Sequence, residues 1–539
     1  MELLGYGYGA KLRPVEGVAP TASLNRVEYR RRAFTEWYIN GPAGLEQGFT
    51  LNTPPSRPSG QPLTIALSLQ GNFLAPVADG TGSLNLRNPS GSDWLRYTGL
   101  TARDATGKTL HAWLEIEGKR LLLRVEDRGG VYPLVIDPFV QAGKLTSSDG
   151  AANSFFGWGC AISGNTVVVT SLNVSSFHGA AYVFQKPATG WANMIETAEL
   201  TSSDGAAGDY FGVAVGISGS TVIVGAYTAT VGSNSGQGAA YVFVKPPGGW
   251  TSMTETAKLT AADGVAEDGF GNSVAISGNT AVIGAYATIG GNTAQGAVYL
   301  YARPASGWRT TSSFEAKLTA SDGAPNDLLG NSVAIGNTTI VAGAPQYQPS
   351  TGPGAAYVFV KPASGWVTAT QTAKLTAFHG KANDYLGAVV GISGSTVVAT
   401  AYNATVGSHA SQGAAYVFVE PTGGWTNAIQ TAKLTSRDGM ANDNFGVGLA
   451  LAGSSVFVGA PSAPIGSNAQ QGAVYEYVRP AVGWRTTSRF NAKFTASDGT
   501  AGTQFGASAA ISGNTFVIGA DGETIGTNAA QGAAYVFVP

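Results

Sequence analysis

The chain predicts an all-β protein, a seven-bladed β-propeller preceded by a small β-sandwich-like domain, and three observations carry that prediction. One tripeptide pattern recurs seven times at near-constant spacing. Each recurrence is followed by apolar runs separated by turn chemistry. The array is also cut so that its first segment supplies what its last unit lacks.

The pattern is Lys144-Leu145-Thr146, which returns as Glu199-Leu200-Thr201, Lys258-Leu259-Thr260, Lys317-Leu318-Thr319, Lys374-Leu375-Thr376, Lys433-Leu434-Thr435 and Lys493-Phe494-Thr495, at spacings of 55, 59, 59, 57, 59 and 60 residues. A fixed period of this size marks a repeat architecture. In the second unit, Phe211 to Ser218, Thr221 to Ala226 and Ala239 to Val244 read as three strands, and Trp250 to Thr260 as a fourth. The Gly219-Ser220 turn, a polar loop from Tyr227 to Gly238 and the Pro246-Pro247-Gly248-Gly249 turn separate them. Four antiparallel strands per unit is the make-up of a propeller blade.

Middle strands such as Val222-Ile223-Val224 and Val456-Phe457-Val458 are apolar throughout, so both of their faces must be covered; stacking blade on blade does that. The seventh unit stops at Val538-Pro539 without a tryptophan strand, while residues 139–146 match the end of one. The expected organisation is therefore an N-terminal β domain at 1–136 and a propeller at 137–539 closed by strand 139–146, which leaves no open edge.

The remaining composition narrows the function classes. With 31 Lys plus Arg against 33 Asp plus Glu, and only 12% charged residues, no general field favours nucleic acid or an anionic membrane. No apolar run approaches a membrane span, and the start Met1-Glu2-Leu3-Leu4-Gly5 shows no signal peptide. Cys160 stands alone, which excludes an intramolecular disulfide framework. The four histidines are scattered, with no metalloprotease or nucleophile-elbow spacing, and no residue stands out from the repeat as a catalytic exception.

The units resemble FG-GAP repeats, the blades that also form the head of integrin α chains. Phe-Gly stands at Phe156-Gly157, Phe211-Gly212, Phe270-Gly271, Phe445-Gly446 and Phe505-Gly506, with Leu329-Gly330 and Leu386-Gly387 in its place elsewhere. Gly-Ala-Pro is complete at Gly343-Ala344-Pro345 and Gly459-Ala460-Pro461. The resemblance implies a propeller used in extracellular or cell-surface adhesion or recognition, with a protein or glycan ligand. Integrin-type blades carry an aspartate-rich calcium loop between their first two strands, where this chain has only Ser163-Gly164-Asn165 and its equivalents. No cofactor is therefore required. Residues 1 to 136 look like the domain that precedes such repeats in exported bacterial proteins. From the residues themselves, Leu110 to Glu117 and Arg120 to Val125 read as a hairpin, and Arg30-Arg31-Arg32 as a solvated edge.

Alternating strand direction puts the long loop after the second strand and the inter-blade loop at one end of the ring, and the short turns at the other. Recognition is expected at the long-loop end. The inter-blade loops repeat an acidic pair, Asp204 with Asp209, Asp263 with Asp268, Asp322 with Asp327 and Asp438 with Asp443. These are candidate calcium ligands; the competing reading is an Asp-Gly turn capping local N–H groups. Tyr227, Tyr286, Tyr347 and Tyr402 open the other loops as candidate ligand contacts, against packing under the loop. The six repeated tryptophans read as inter-blade packing with locally bonded N–H groups. His409 receives no role. A glycan-active enzyme, whose carboxylate pair would come from several blades about 5 to 10 Å apart, and a structural assembly protein are the alternatives to a non-catalytic binder.

Overall fold

Short, largely β-branched runs ending at tight glycine turns generate each blade. In blade 2 the strands are Val215–Ser218, Thr221–Ala226, Ala239–Val244 and Ala257–Leu259, each antiparallel to the next. Seven such sheets follow one another, and their first strands neighbour each other around the axis, blade 7 meeting blade 1. The structure, a computed structural model, describes residues 2–538 except 24–25, 42–43, 57–59, 70–76, 79–83, 88–92, 98–99, 107, 139 and 348–351.

Blade 7 is completed from the other end of the propeller, as the sequence requires. Val140–Thr146 lies antiparallel to Ala533–Val538, with Lys144 opposite Tyr535. That is the register of Lys258 opposite Tyr241 in blade 2. Phe139, the first residue of the expected closing strand, lies outside the described residues.

Two expected strands are shorter than their apolar runs. The outer strand of blade 2 spans only Ala257–Leu259, and Trp250 precedes it just past the Pro247-Gly248 turn. Before reaching that strand the chain forms a two-residue parallel pairing, Met253–Thr254 against Leu200 and Thr201 of blade 1. Similar pairings recur at Met194–Ile195, Ala369–Thr370 and Ala428–Ile429, and single bridges at Thr311 and Thr487. Each covers the outer edge of the preceding blade, which would otherwise offer unpaired backbone groups. The inner strand of blade 2 likewise begins at Val215; ahead of it Phe211 donates its N–H to the His178 carbonyl of blade 1, and Gly212 to Gly225 of its own blade.

The Phe-Gly and Gly-Ala residues explain themselves in three dimensions. Phe156, Phe211, Phe270, Phe445 and Phe505, with Leu329 and Leu386, are fully buried between blades. A Cβ on Gly225 would lie 1.9 Å from the carbonyl oxygen of Gly271, so the glycine of one blade admits the backbone of the next. Thr170 and Thr400, which replace that glycine in blades 1 and 5, instead accept bonds from the N–H groups of Gly159 and Val389.

The tryptophans pack as expected, Trp250 being 5% exposed. Their N–H groups are not locally bonded: Nε1 of Trp191, Trp250, Trp308, Trp425 and Trp484 has no hydrogen-bond partner among the described residues. The ring fills the turn and its orientation is set by packing.

In the N-terminal part, a five-stranded sheet and a seven-stranded sheet enclose one core that includes Phe34, Phe49, Leu63, Ile65, Leu121, Leu123, Leu134 and Ile136. The hairpin is Ala112–Glu117 with Arg120–Val125, turning at Gly118. Leu110 belongs to the other sheet, so the chain switches sheets at His111. The three arginines are not one solvated edge. The strand ends at Arg30, and Arg31 turns inward to the Glu16 carbonyl at 2.6 Å and Glu36 at 3.7 Å.

Candidate functional site

The long-loop end is built from two ties that repeat around the ring, and both use residues singled out in the sequence. The first aspartate of each acidic pair meets a Tyr–Lys cross-strand pair. Asp204 accepts from Tyr241 at 2.9 Å and Lys258 at 2.5 Å, and the Lys258 ammonium sits over the Tyr241 ring. The same tie joins Asp322 to Tyr357 and Lys374, and Asp498 to Tyr535 and Lys144, while Lys317 reaches Asp263 and Lys493 reaches Asp438. Burial alone raises the Asp204, Asp322 and Asp498 carboxyls, but the lysine and tyrosine bonds outweigh it and hold all three below the ordinary range.

The second aspartate does a different job. Asp209, Asp268, Asp327 and Asp443 each accept a backbone N–H from three residues earlier, at 2.7 to 2.8 Å. Asp384 does the same in blade 5, and the hydroxyls of Ser154 and Thr503 replace it in blades 1 and 7. Burial raises Asp268, Asp384 and Asp443. The eight aspartates therefore form two separate sets of internal bonds. No cluster of three or more metal-ligand side chains occurs among the described residues.

The long loops are pinned rather than loose. Asn234 donates to the Gly264 carbonyl and Gln237 to Ala261, tying each loop to the next inter-blade segment. Asn292, Asn468 and Asn528 repeat the bond. His409 occupies the asparagine position in blade 5, its Nδ1 2.8 Å from the Gly439 carbonyl, so it has a structural role that sequence reading missed. Aligning the Asn-x-x-Gln-Gly segments against Ser408-His409-Ala410-Ser411-Gln412-Gly413 reveals it.

On this pinned frame the candidate tyrosines join others into an aromatic arc. Phe177 contacts Tyr210 at 5.0 Å between ring centroids, and Tyr210 contacts Tyr227 at 5.6 Å. Tyr347 contacts Tyr385 at 4.7 Å and Tyr402 at 6.5 Å. Tyr286 opens the loop of the blade between the two groups, and its hydroxyl donates to Asn331 Oδ1 at 3.4 Å. All seven rings are half-buried. Burial pushes the Tyr227, Tyr286, Tyr347 and Tyr402 phenols up, so they are neutral donors over the physiological range.

Phe177, Tyr210 and Tyr385 were not among the sequence candidates. They stand on left-handed backbone, with φ of 63°, 53° and 64°. The positions equivalent to Tyr210 in blades 3 and 6 hold Gly269 and Asn444, the residue types that tolerate this conformation, while Phe155, Leu328 and Gln504 take it in blades 1, 4 and 7. Bulky rings there cost backbone energy and turn an aromatic face outward, a combination that concentrates at functional sites. Trp158, 43% exposed on the inner strand of blade 1, was also missed.

Residues 139–184, 194–243, 253–301, 313–359, 369–418, 428–477 and 489–537 match the FG-GAP repeat. The chain belongs to the FG-GAP repeat family. The FG-GAP propeller is thus the seven-bladed ring described above, and no curated protein matches the chain. Among solved structures, one titled as the crystal structure of Kluyvelomyces marxianus Hsv2 aligns at 9% identity and a TM-score of 0.35, covering 69% of this chain and 89% of that one. No helix among the described residues is long and apolar enough to cross a membrane.

Proposed function

We propose that this FG-GAP propeller is a non-catalytic recognition module of the cell surface or extracellular space that binds a protein or glycan ligand through its long-loop end. The aromatic arc carries this reading. It offers large apolar faces with hydroxyl tips, held in place before binding by the loop ties, so little ordering entropy is lost on association. The acidic pairs lend no support to a catalytic alternative, since their carboxylates are engaged with lysines, tyrosines and loop N–H groups. A glycan array probed with the full chain, and with a Tyr227→Ala/Tyr286→Ala/Tyr402→Ala variant of unchanged melting temperature, tests the glycan arm. Specific signals lost in the variant support it. Signals that persist place recognition elsewhere, and a blank array turns the reading to a protein ligand.

A further inference from the structure

Seven near-identical blades offer seven near-identical short-turn ends, yet the N-terminal domain sits against one. Among the described residues, its side-chain hydrogen bonds to the ring fall on blade 6. Ser454, in the turn between the first two strands, donates to the Thr109 carbonyl at 3.1 Å, and Asn491 Nδ2 donates to the Ala112 carbonyl at 3.3 Å. Between the two parts lies a cavity of about 610 Å³ bounded by Trp113 and Pro62 on one side and Ala481 and Val482 on the other.

Blade 6 departs from the repeat at three positions beside this contact. Glu476 stands on the third strand where the other blades have Val183, Val242, Leu300, Val358, Val417 and Val536. It is fully buried, accepts from Ser455 at 2.9 Å, and feels the charge of Arg103 in the N-terminal domain, which is itself 8% exposed and lies near Asp137. Ser455 opens a strand that begins with threonine in the other six blades. Asn491 replaces the threonine found at Thr197, Thr256, Thr372 and Thr431. It keeps their bond to the third strand, made to the Val478 N–H, and adds the donor that reaches Ala112.

We propose that Ser455, Glu476 and Asn491 form an address that fixes the N-terminal domain on blade 6. The connection enters the ring at blade 7, through the strand beginning at Val140. On tether length alone the domain reaches either neighbour, blade 6 or blade 1. Blade 1 presents Thr166, Val183 and Thr197 at the three positions and so offers Arg103 no carboxylate and Ala112 no amide donor. A carboxylate buried inside a blade is costly unless bonds and opposite charge offset it; Ser455 supplies the bond at 2.9 Å, and the Arg103 charge that Glu476 feels belongs to the other domain. The departures thus favour one docking arrangement and disfavour the rest.

The test restores blade 6 to the repeat in the full chain, as Ser455→Thr/Glu476→Val/Asn491→Thr, with Arg103→Leu as a second variant approaching the same contact from the N-terminal side. Calorimetry and limited proteolysis of the 137–140 connection are read together. The address predicts that the triple variant keeps or raises the melting temperature of the propeller transition while cleavage at the connection accelerates at least tenfold, and that Arg103→Leu also accelerates cleavage. Cleavage unchanged in the triple variant overturns the proposal. So does a lowered propeller melting temperature, which would show that these residues serve the blade itself.

Discussion

The two ends of the propeller use the same repeat in opposite ways. At the long-loop end, departures between units add aromatic rings: Phe177, Tyr210 and Tyr385 stand on the left-handed backbone that every blade repeats, at positions that other blades fill with residues such as Gly236, Gly269, Asn444, Ser411 and Gln504. At the short-turn end, the departures beside the N-terminal domain add polar groups, Glu476, bonded to Ser455 within blade 6, and Asn491, which reaches the Ala112 carbonyl. Elsewhere the short turns link blade to blade, Gly164, Gly219 and Gly278 each donating to a serine of the preceding blade. One end is thus elaborated towards solvent and the other towards the rest of the chain. A repeat tolerates this because each blade contacts only its neighbours, so a local substitution does not propagate.

That contrast can be broken at several points, beginning with the closure on which both ends depend. Lys144 ties the closing strand to Asp498 and to Glu523, whose side chain is 4% exposed. Lys144→Ala leaves Glu523 buried without its cation and is expected to cost about 2 to 4 kcal/mol, read by denaturant unfolding. The equivalent Lys258→Ala, whose partner Asp204 is 49% exposed, should cost under about 1 kcal/mol. Equal losses would mean that closure is not special.

At the short-turn end, burial raises Glu476 to about 7 despite the opposing field of Arg103. The folded state then holds its proton more tightly than the unfolded state. The contribution is fully present below about pH 4.5 and is lost as pH rises towards 7, on the order of 3 kcal/mol. Glu476→Val should flatten that part of the stability profile. Asp204, Asp322 and Asp498 act with the opposite sign, their contribution being present above the usual aspartate range and lost as pH falls through their lowered values. A variant that retains the wild-type decline between pH 4.5 and 7 would remove Glu476 as its source.

At the long-loop end, Tyr210→Asn should stabilise the fold by up to about 1 kcal/mol by relieving its backbone position, while weakening ligand binding. A loss of stability would show that the ring is there for packing. The smallest expected effect is that of calcium. With both aspartates of each pair already bonded within the protein, millimolar calcium should leave the melting temperature unchanged, and a rise would restore the acidic pairs as cation sites.

Much of the fold was legible because seven copies repeat each signal: the closing strand, the buried middle strands and the blade boundaries could all be read by comparing units. Tyr210 and Tyr385 were harder. They precede Phe-Gly and Leu-Gly on inter-blade loops, and only the folded ring brings them against Tyr227 and Tyr402. The expected local N–H bond is made by Asp209 and its equivalents, not by the Asp-Gly carboxylate of Asp204, whose lysine partner lies 54 residues away on the next outer strand. Glu476 was one letter in Ala473-Val474-Tyr475-Glu476-Tyr477-Val478 and becomes visible when the seven third strands are aligned. Its partner Arg103, in a different domain, does not.

The most direct test of the division between the two ends is hydroxyl-radical footprinting of the full chain, free and with a bound ligand from the binding screen. The account predicts protection at Trp158, Tyr210, Tyr227, Tyr286 and Tyr402, with the short-turn residues Asn165, Ser220, Asn279 and Ser395 unchanged. Protection of the short turns with the tyrosines still reactive would contradict it.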